Sequence, residues 1–158
     1  MANEFIVKNG IVAQIQSSTI EEFDYNGDVL GTQVAGEDLT QGNVCVMRSN
    51  GKWYKTNATN TSLSTNVSGI ALNTATTGNA VDILIRGVIG TNNSMLTSVS
   101  SGPGSPIYLA TTVGTMSQTA PSSENNVVRI LGHYLRLAGT NPTKYVISFN
   151  PDGIWLEL

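Results

Sequence analysis

Few residues in this chain could carry out acid–base chemistry, and they are scattered along it. General acid–base catalysis at neutral pH most often uses histidine, and the chain has one, His133, in a segment with strand-like alternation. Acidic residues are paired at Glu21-Glu22 and Glu37-Asp38, and two carboxylates held about 5–9 Å apart could hydrolyse a glycoside. Nothing in the sequence makes the pairs face each other. We therefore predict a solvated turn at Glu37-Asp38, a structural or pore-lining role for His133, and no enzymatic activity.

Motifs that bind metals or cofactors are also missing from the sequence. Residues 24–28 have the composition of a calcium loop, but the glycine is misplaced and no glutamate follows at the required spacing. The phosphate-binding loop, the dinucleotide fingerprint and the Gly-x-Ser-x-Gly elbow do not occur. We expect no catalytic residues, no bound metal and no cofactor.

The chain is polar without being strongly charged. Charged residues make up 12% of its 158 residues and the net charge is −3, whereas globular domains average about 25% charged residues. The 8 Lys and Arg residues form no basic stripe, so we expect no nucleic-acid partner. Neutral polar groups cost less to bury than charges, which suits a protein held in permanent contacts.

Signals for secretion or membrane insertion are absent from the sequence. Residues 1–20 lack the basic start and apolar core of a secretion signal, and no apolar run approaches the roughly 20 residues of a spanning helix. The one cysteine, Cys45, lies in an apolar run and is expected to be a small buried hydrophobe. We expect a protein made in a cytoplasm, with no membrane partner.

Strand and turn signals recur along the whole chain, whereas helix signals are nearly absent. Short runs rich in β-branched and aromatic residues alternate with Asn-Gly and Asp-Gly turns, a pattern typical of hairpins. The predicted strands cover residues 3–8, 11–16, 29–34, 43–48, 52–56, 67–72, 80–90, 106–110, 127–137, 144–149 and 153–157. This spacing predicts an all-β fold, a compact β-barrel or sandwich of short antiparallel strands with an extended N-terminal arm.

Side-chain alternation and loop length add two expectations. The longest predicted strand is expected to direct Val81, Ile83 and Ile85 to the core, because alternate side chains of a strand share a face. The segments 56–66 and 91–105 are predicted to be long loops that serve as contact or variable surfaces.

The chain divides into two parts near residue 35. Residues 1–35 hold a predicted β-hairpin and an acidic stretch, too little to bury a core alone, so we predict an arm for attachment or for packing against a neighbour. Residues 36–158 form the predicted β-barrel or sandwich domain. In the alternative, the N-terminal strands simply join the main sheet.

Aromatic residues near the predicted turns are candidates for surface contacts. Trp53 and Tyr54 are adjacent in a predicted strand, so they point in opposite directions and one of them is expected at the surface. Exposed rings could stack on sugars, as in a carbohydrate-binding module, but we favour subunit contacts. The candidate interface residues are apolar residues of the arm and ring-bearing residues elsewhere: Phe5, Ile6, Val7, Ile11, Val12, Phe23, Tyr25, Trp53, Tyr54, His133 and Trp155.

Residues 36–158 also carry a series of short motifs in a fixed order. They include Gly36-Glu37-Asp38-Leu39, Gly51-Lys52-Trp53-Tyr54-Lys55, Pro106-Ile107-Tyr108-Leu109, Arg129-Ile130-Leu131-Gly132 and a closing Phe149-Asn150-Pro151-Asp152 hairpin. In this order the run resembles the small β-rich domains of tailed-phage head-decoration (cement) proteins and of head and tail fibres. The resemblance implies a homotrimer that binds another virion protein.

The same resemblance implies a place on the virion. It implies a structural protein on the capsid exterior, synthesised in the host cytoplasm, that binds the major capsid protein lattice and stabilises the head. A head- or tail-fibre subunit involved in host attachment is the alternative, and a carbohydrate-binding module that takes a host surface glycan is a further one. The lack of a long repetitive shaft favours a decoration protein over a tail fibre. A free module is expected to be monomeric.

Overall fold

Strands make up nearly all the regular structure of the chain. The computed structural model describes residues 20–137 and 144–158, with 47% of residues in strands and 3% in helix, and its main sheet curls into a half-barrel. The predicted all-β fold is therefore confirmed. The elements in chain order are β1 (Tyr25–Val34), β2 (Val44–Met47), β3 (Trp53–Lys55), α1 (Thr61–Ser64), β4 (Ser68–Ala71), β5 (Ala80–Asn92), β6 (Leu96–Thr97), β7 (Pro106–Leu109), β8 (Met116–Ser117), β9 (Val127–Val128), β10 (Ile130–Leu137), β11 (Lys144–Phe149) and β12 (Leu156–Glu157).

Within the described residues, the main sheet has ten strands, and β5 pairs with three of the others. The order is β3-β2-β4-β5-β11-β10-β7-β8-β6, with β1 also paired to β5. β4 pairs with the first half of β5, β11 with its second half, and β1 with most of its length. A separate two-stranded sheet joins β9 to β12. Among these strand pairs, β6 with β8 is the parallel one, which departs from the predicted antiparallel arrangement.

The strand boundaries follow the sequence predictions closely from β2 onward, with a few differences. β1 begins at Tyr25, earlier than predicted, because its first residues pair with the second half of β5. β5 runs to Asn92 and β6 follows it, so the predicted loop at 91–105 is shorter than expected. The predicted loop at 56–66 contains the short helix α1. None of the helical residues that the structure describes could form a span across a membrane.

The central part of β5 is buried on both faces. Val81 and Ile83 are fully buried, as predicted, and Ile85 is half-buried on the same side. Leu84 is fully buried as well, because a second set of apolar side chains covers the opposite face. The smaller cluster consists of Ala35, Leu39, Cys45, Trp53, Ala71, Ala75, Val81 and Ile83. The larger cluster consists of Val44, Ala58, Ile70, Leu72, Leu84, Ile89, Met95, Leu96, Ile107, Leu109, Met116, Leu131, Tyr134, Tyr145, Ile147 and Phe149.

One register row of the curled sheet has glycine on three of its four strands. Gly27, Gly87 and Gly132 share one register row with Phe149, across β1, β5, β10 and β11. The φ angle is +154° at Gly132 and +151° at Gly87, values that other residues rarely adopt. A Cβ atom at Gly132 would overlap the carbonyl oxygen of Ser148. The row therefore requires glycine, and glycine kinks of this kind let a sheet bend sharply.

The described N-terminal part of the chain is joined to the main sheet. β1 belongs to the predicted arm of residues 1–35, yet it pairs with β5 along most of its length. Just before it, Ile20 packs against Val88 and Val146 on the surface of the sheet. β1 therefore belongs to the main sheet. Residues 1–19 of the predicted arm, with the predicted strands at 3–8 and 11–16, lie outside the described residues, so the arm stays a prediction.

Candidate interaction surface

The acidic pair Glu37-Asp38 fastens two loops beside the smaller cluster. The Glu37 carboxylate accepts a 2.6 Å hydrogen bond from the backbone N–H of Lys55. The Asp38 carboxylate accepts bonds of 2.8 and 3.1 Å from the backbone N–H and the hydroxyl of Thr77. These two bonds, the backbone one foremost, hold the pKa of the Asp38 carboxyl below its usual value. The pair ties distant segments together, which is more than the solvated turn that the sequence predicted.

The N-terminal acidic residues are engaged in contacts with the sheet. Glu21 forms a 2.7 Å ion pair with Lys144, and this bond raises the pKa of the Lys144 ammonium. Asp28 lies in β1 and pairs with Arg86 of β5 at 3.4 Å. Residues 25–28 are therefore the start of a strand and not a calcium loop. Among the described residues, no group of three or more histidine, cysteine or acidic side chains is placed to hold a metal ion.

His133 lies on the outer face of β10. Its side chain is exposed, and its register partners are Ser148 of β11 and Pro106 of β7. The next residue, Tyr134, points inward and meets Tyr145 edge to face, with ring centroids 5.9 Å apart. Burial raises the pKa of the Tyr134 hydroxyl. His133 is thus available for contact, and its role in an interface stays a prediction.

Trp53 and Tyr54 point to opposite sides of β3, but neither forms an open aromatic surface. Trp53 is fully buried in the smaller cluster, and its indole N–H donates a 3.3 Å bond to the side chain of Gln33. Its assignment to an interface is therefore wrong. Tyr54 is half-buried, because the Arg48 guanidinium stacks 3.9 Å from its ring centroid and the Asn50 amide donates to its hydroxyl. A contact role for Tyr54 stays a prediction.

Two of the predicted interface residues flank the entry to β1. Phe23 is partly buried against the larger cluster, and its backbone N–H donates a 2.9 Å bond to the carbonyl of Gly90. Tyr25 is 50% exposed, so it is the more accessible of the two aromatic rings. The predicted arm residues that lie outside the described residues are Phe5, Ile6, Val7, Ile11 and Val12.

Arg129 joins the main sheet to the segment that follows β11. Its side chain is buried, and Nη1 donates bonds of 2.7 Å to the carbonyls of Ser64 and Asn66. The same nitrogen donates to the Ser68 hydroxyl, and Nε donates a 3.0 Å bond to the Asp152 carbonyl. Burial lowers the pKa of the guanidinium. Arg129 belongs to one of the motifs that carry the resemblance. Its role in joining these segments could not be predicted from the sequence, because its acceptors lie far away along the chain.

A groove of about 340 Å³ opens beside Arg129. It lies between the strands β4 and β5 on one side and the segment after β11 on the other. Its described lining combines apolar with polar and charged side chains: Val67, Ser68, Ile85, Arg86, Arg129, Asn150, Pro151, Asp152 and Gly153. Val67, on one wall, is itself exposed, so the groove borders an apolar surface.

The last residues of the chain present apolar side chains to solvent. The exposed fractions are 83% for Ile154, 43% for Trp155, 61% for Leu156 and 41% for Leu158. These four residues directly follow Gly153, which lines the groove together with the exposed Val67. We name the four residues and Val67 the C-terminal patch. Of its members, Trp155 alone was predicted as a contact residue. The signal for the others is an apolar run that lacks the polar–apolar alternation of a half-buried strand.

A second groove of about 340 Å³ has a different character. Small hydroxyl-bearing side chains dominate its described lining, which consists of Thr97, Ser98, Ala110, Thr111, Thr112, Ser117, Thr119, Ala120, Pro121, Ser122, Ser123 and Asn126. None of these residues is aromatic, so this groove provides no ring on which a sugar could stack. It adds no support to the carbohydrate-binding alternative.

Comparisons with known proteins identify a similar fold. No protein-family model and no curated protein matches the sequence. Among solved structures, a chain of the capsid of Myoviridae Phage XM1 is similar to this chain, with a TM-score of 0.55 and 12% sequence identity. The match covers 95% of this chain and 98% of that chain. At this level of identity the likeness shows the fold alone, and the two chains share it almost from end to end.

Proposed function

We propose that this chain is a structural protein of a bacteriophage virion, and more narrowly a capsid decoration (cement) protein. In this role it binds the major capsid protein lattice on the capsid exterior and stabilises the head. The observation that carries the proposal is the end-to-end likeness in fold to a chain of a phage capsid. The ordered motifs of residues 36–158, which resemble those of tailed-phage head-decoration proteins and fibres, support it from the sequence side.

The contacts of the polar groups support a structural part and not a catalytic one. Glu37 and Asp38 accept bonds from backbone N–H groups of other segments, and Arg129 donates to backbone carbonyls. Groups used in this way fix loops and strand ends. A protein that must keep its shape within a lattice needs such ties, and we propose that this chain is not an enzyme.

We further propose that the working form is a homotrimer. A trimer would hold several capsid-binding sites at once, and each added site binds at a high effective concentration. A weak contact per copy would therefore suffice for firm attachment. The low charged fraction of 12% supports this form, because neutral polar groups are buried between subunits at less cost than charges.

Electron microscopy of the virion that carries this chain tests the proposal. We expect density with this fold over the capsid faces, at threefold or quasi-threefold points between capsomers. Density confined to the tail or to projecting spikes would contradict a decoration role and favour the fibre alternative, with segments 56–66 and 91–105 as candidates for host contact. Absence from the particle would contradict both and favour a free module that binds a host surface glycan.

A binding measurement tests the same role in solution. Heads assembled without this chain are mixed with the purified protein, sedimented, and heated in steps until they release DNA. We expect the protein to sediment with the heads and to raise the temperature of DNA release. Heads mixed with an unrelated β-protein of similar size and charge provide the control, and equal release temperatures would contradict the stabilising role.

A further inference from the structure

The C-terminal patch has the composition of a buried strand in an exposed position. Residues 154–158 read Ile-Trp-Leu-Glu-Leu, and every residue of this segment is exposed. A half-buried strand alternates apolar and polar side chains, whereas a strand buried on both faces is apolar nearly throughout. Large apolar side chains exposed one after another in a single short segment are typical of an interaction site.

The backbone of this segment is open on one side as well. β12 pairs with β9, Leu156 opposite Val128 and Glu157 opposite Val127. In the part of the chain that the structure describes, no strand pairs with the other edge of β12. An edge strand presents N–H and C=O groups on which a further chain can add. The patch therefore offers both an apolar surface and backbone groups to the same occupant.

We propose that the C-terminal patch is the surface through which copies of this chain associate. The inference rests on the proposed homotrimer and names the part of each copy that builds it. Association removes Ile154, Trp155, Leu156 and Leu158 from water in each copy. The contact also covers Val67 and closes the groove beside Arg129.

The size of the patch fits a second copy. A stable interface buries about 800 Å² per partner, and about 65% of a homodimer interface is apolar, so roughly 500 Å² of apolar surface is needed. The five side chains of the patch are each exposed by between 41% and 83%. Together they supply on the order of 500 Å², which is within the range of functional patches on single chains.

The chemistry of the patch favours a second copy over other occupants. Its segment holds one charged residue, Glu157, and the Thr61 hydroxyl of the same chain already donates a 3.1 Å bond to that carboxylate. A sugar needs hydrogen-bonding groups, and a charged capsid surface needs opposite charges. Interfaces between identical chains are the more apolar class, and the patches of three copies placed around a threefold axis can cover one another.

The mass of the full chain in solution, measured by light scattering over a range of concentrations, tests the inference. The wild-type chain is expected to have about three times the monomer mass of 16.7 kDa. The double variant Ile154→Ser with Leu156→Ser is expected to raise the dissociation constant at least about a hundredfold. Val34→Ser, at a 39% exposed position in β1, is the matched control and is expected to leave the mass unchanged.

Two further measurements separate loss of association from loss of folding. Circular dichroism of the double variant should match that of the wild type, because both replaced side chains are exposed. If the double variant unfolds, the single variant Ile154→Lys at the most exposed position takes its place. The tryptophan emission of the wild type should also shift to shorter wavelength as concentration rises, and Trp155→Phe should abolish that shift.

Two results would overturn the inference. One is a wild-type chain that stays monomeric at every concentration, and the other is a folded double variant that keeps the wild-type mass. The second result would leave the decoration role standing, because the trimer would then form through another surface. Failure of the decoration role itself is detected separately, when the wild-type trimer does not sediment with heads.

Discussion

Trp53 and Trp155 each lie close to a turn in the sequence, but their surroundings in the structure differ. Both were predicted as contact residues, Trp53 in a segment flanked by lysines and Trp155 in an apolar run. Trp53 is fully buried, whereas Trp155 is 43% exposed among exposed apolar neighbours. Trp53 is buried in the smaller cluster. Its backbone also has a neighbour on the edge of β3 away from β2, where Ala35 bridges to Trp53 and the Gly36 N–H donates a 2.8 Å bond to the Trp53 carbonyl. By contrast, β12 has only β9 beside it in the described chain.

A tryptophan near a turn does not by itself predict burial or exposure. Both rings are large and apolar, and the chain itself buries only one of them fully. The chain leaves the other to be covered from outside, which is the basis for assigning the C-terminal patch to association. Replacements in the region of Trp53 should therefore change folding stability. Replacements in the region of Trp155 should change assembly.

Replacing each tryptophan with alanine gives the largest expected difference. Trp53→Ala removes a fully buried ring and is expected to lower the free energy of unfolding by about 3–5 kcal/mol. Trp155→Ala, at a partly exposed position, is expected to lower it by less than about 1 kcal/mol in the dissociated chain. Urea titrations at one low protein concentration measure both values, and equal losses would contradict the contrast.

Repeating the titrations at higher protein concentration makes the contrast sharper. Binding to the folded state alone raises apparent stability with concentration. The wild type should therefore gain stability as concentration rises, and Trp155→Ala should gain less. A wild-type stability that is independent of concentration would count against association of the folded chain.

Replacing a glycine of the register row with alanine tests whether the curl of the main sheet depends on glycine. Gly132→Ala is expected to lower the free energy of unfolding by about 2–4 kcal/mol, because the added Cβ overlaps backbone and φ is strained. Gly102→Ala is the control, since a Cβ there has nothing within 4 Å, and it is expected to change stability by less than about 0.5 kcal/mol. Similar thermal melts for both variants would mean that the curl of the sheet does not depend on glycine.

Arg129 joins the main sheet to the segment that follows β11, so its replacement should affect both. Arg129→Met leaves the buried Ser64 carbonyl and the Asn66 carbonyl without their donor, and the expected loss of stability is about 2–3 kcal/mol. Amide hydrogen exchange should also accelerate at residues 152–158, because the bond to the Asp152 carbonyl is lost. Arg86→Met is the control at an exposed ion pair, with an expected change below about 1 kcal/mol. Unchanged exchange in that segment would show that Arg129 does not anchor it.

The strand positions were predictable because local turn chemistry marks most of their ends. β11 occupies residues 144–149 as predicted, and β5 ends two residues beyond its predicted limit. β6 was missed because a two-residue strand is defined by its partner β8, which lies elsewhere in the chain. α1 has four residues, too few to show the helical period in the sequence.

The candidate surface was less predictable, because burial depends on which distant segments meet. The sequence established that Trp53 and Tyr54 point in opposite directions, but the packing of distant residues in the smaller cluster decides that Trp53 is the buried one. The role of Arg129 depends on a carbonyl 65 residues away. Trp155 was predicted as a contact residue for its ring. The apolar run around it is visible in the sequence, but the exposure of that run became evident only from the fold.

Lowering the pH is expected to give the smallest difference in stability between the region of Trp53 and the region of Trp155. The carboxylate of Asp38 is bonded to Thr77 next to the smaller cluster, and these bonds lower its pKa from the ordinary value of 3.8. The folded state therefore binds the proton more weakly than the unfolded state. This contribution to stability is fully present above the ordinary pKa and is lost as the pH falls below it through the folded pKa.

Asp38→Asn isolates the charge, because asparagine keeps an acceptor oxygen for Thr77. The wild type should melt at a higher temperature than the variant near neutral pH, and the difference should shrink as the pH falls below 3.8. Because Trp53 lies in the smaller cluster and Trp155 does not, the acid effect should be visible in the melting of the folded chain and not in concentration-dependent emission. A difference that stays constant at low pH would mean that the charge of Asp38 contributes nothing and that the hydrogen bonds alone hold the loop.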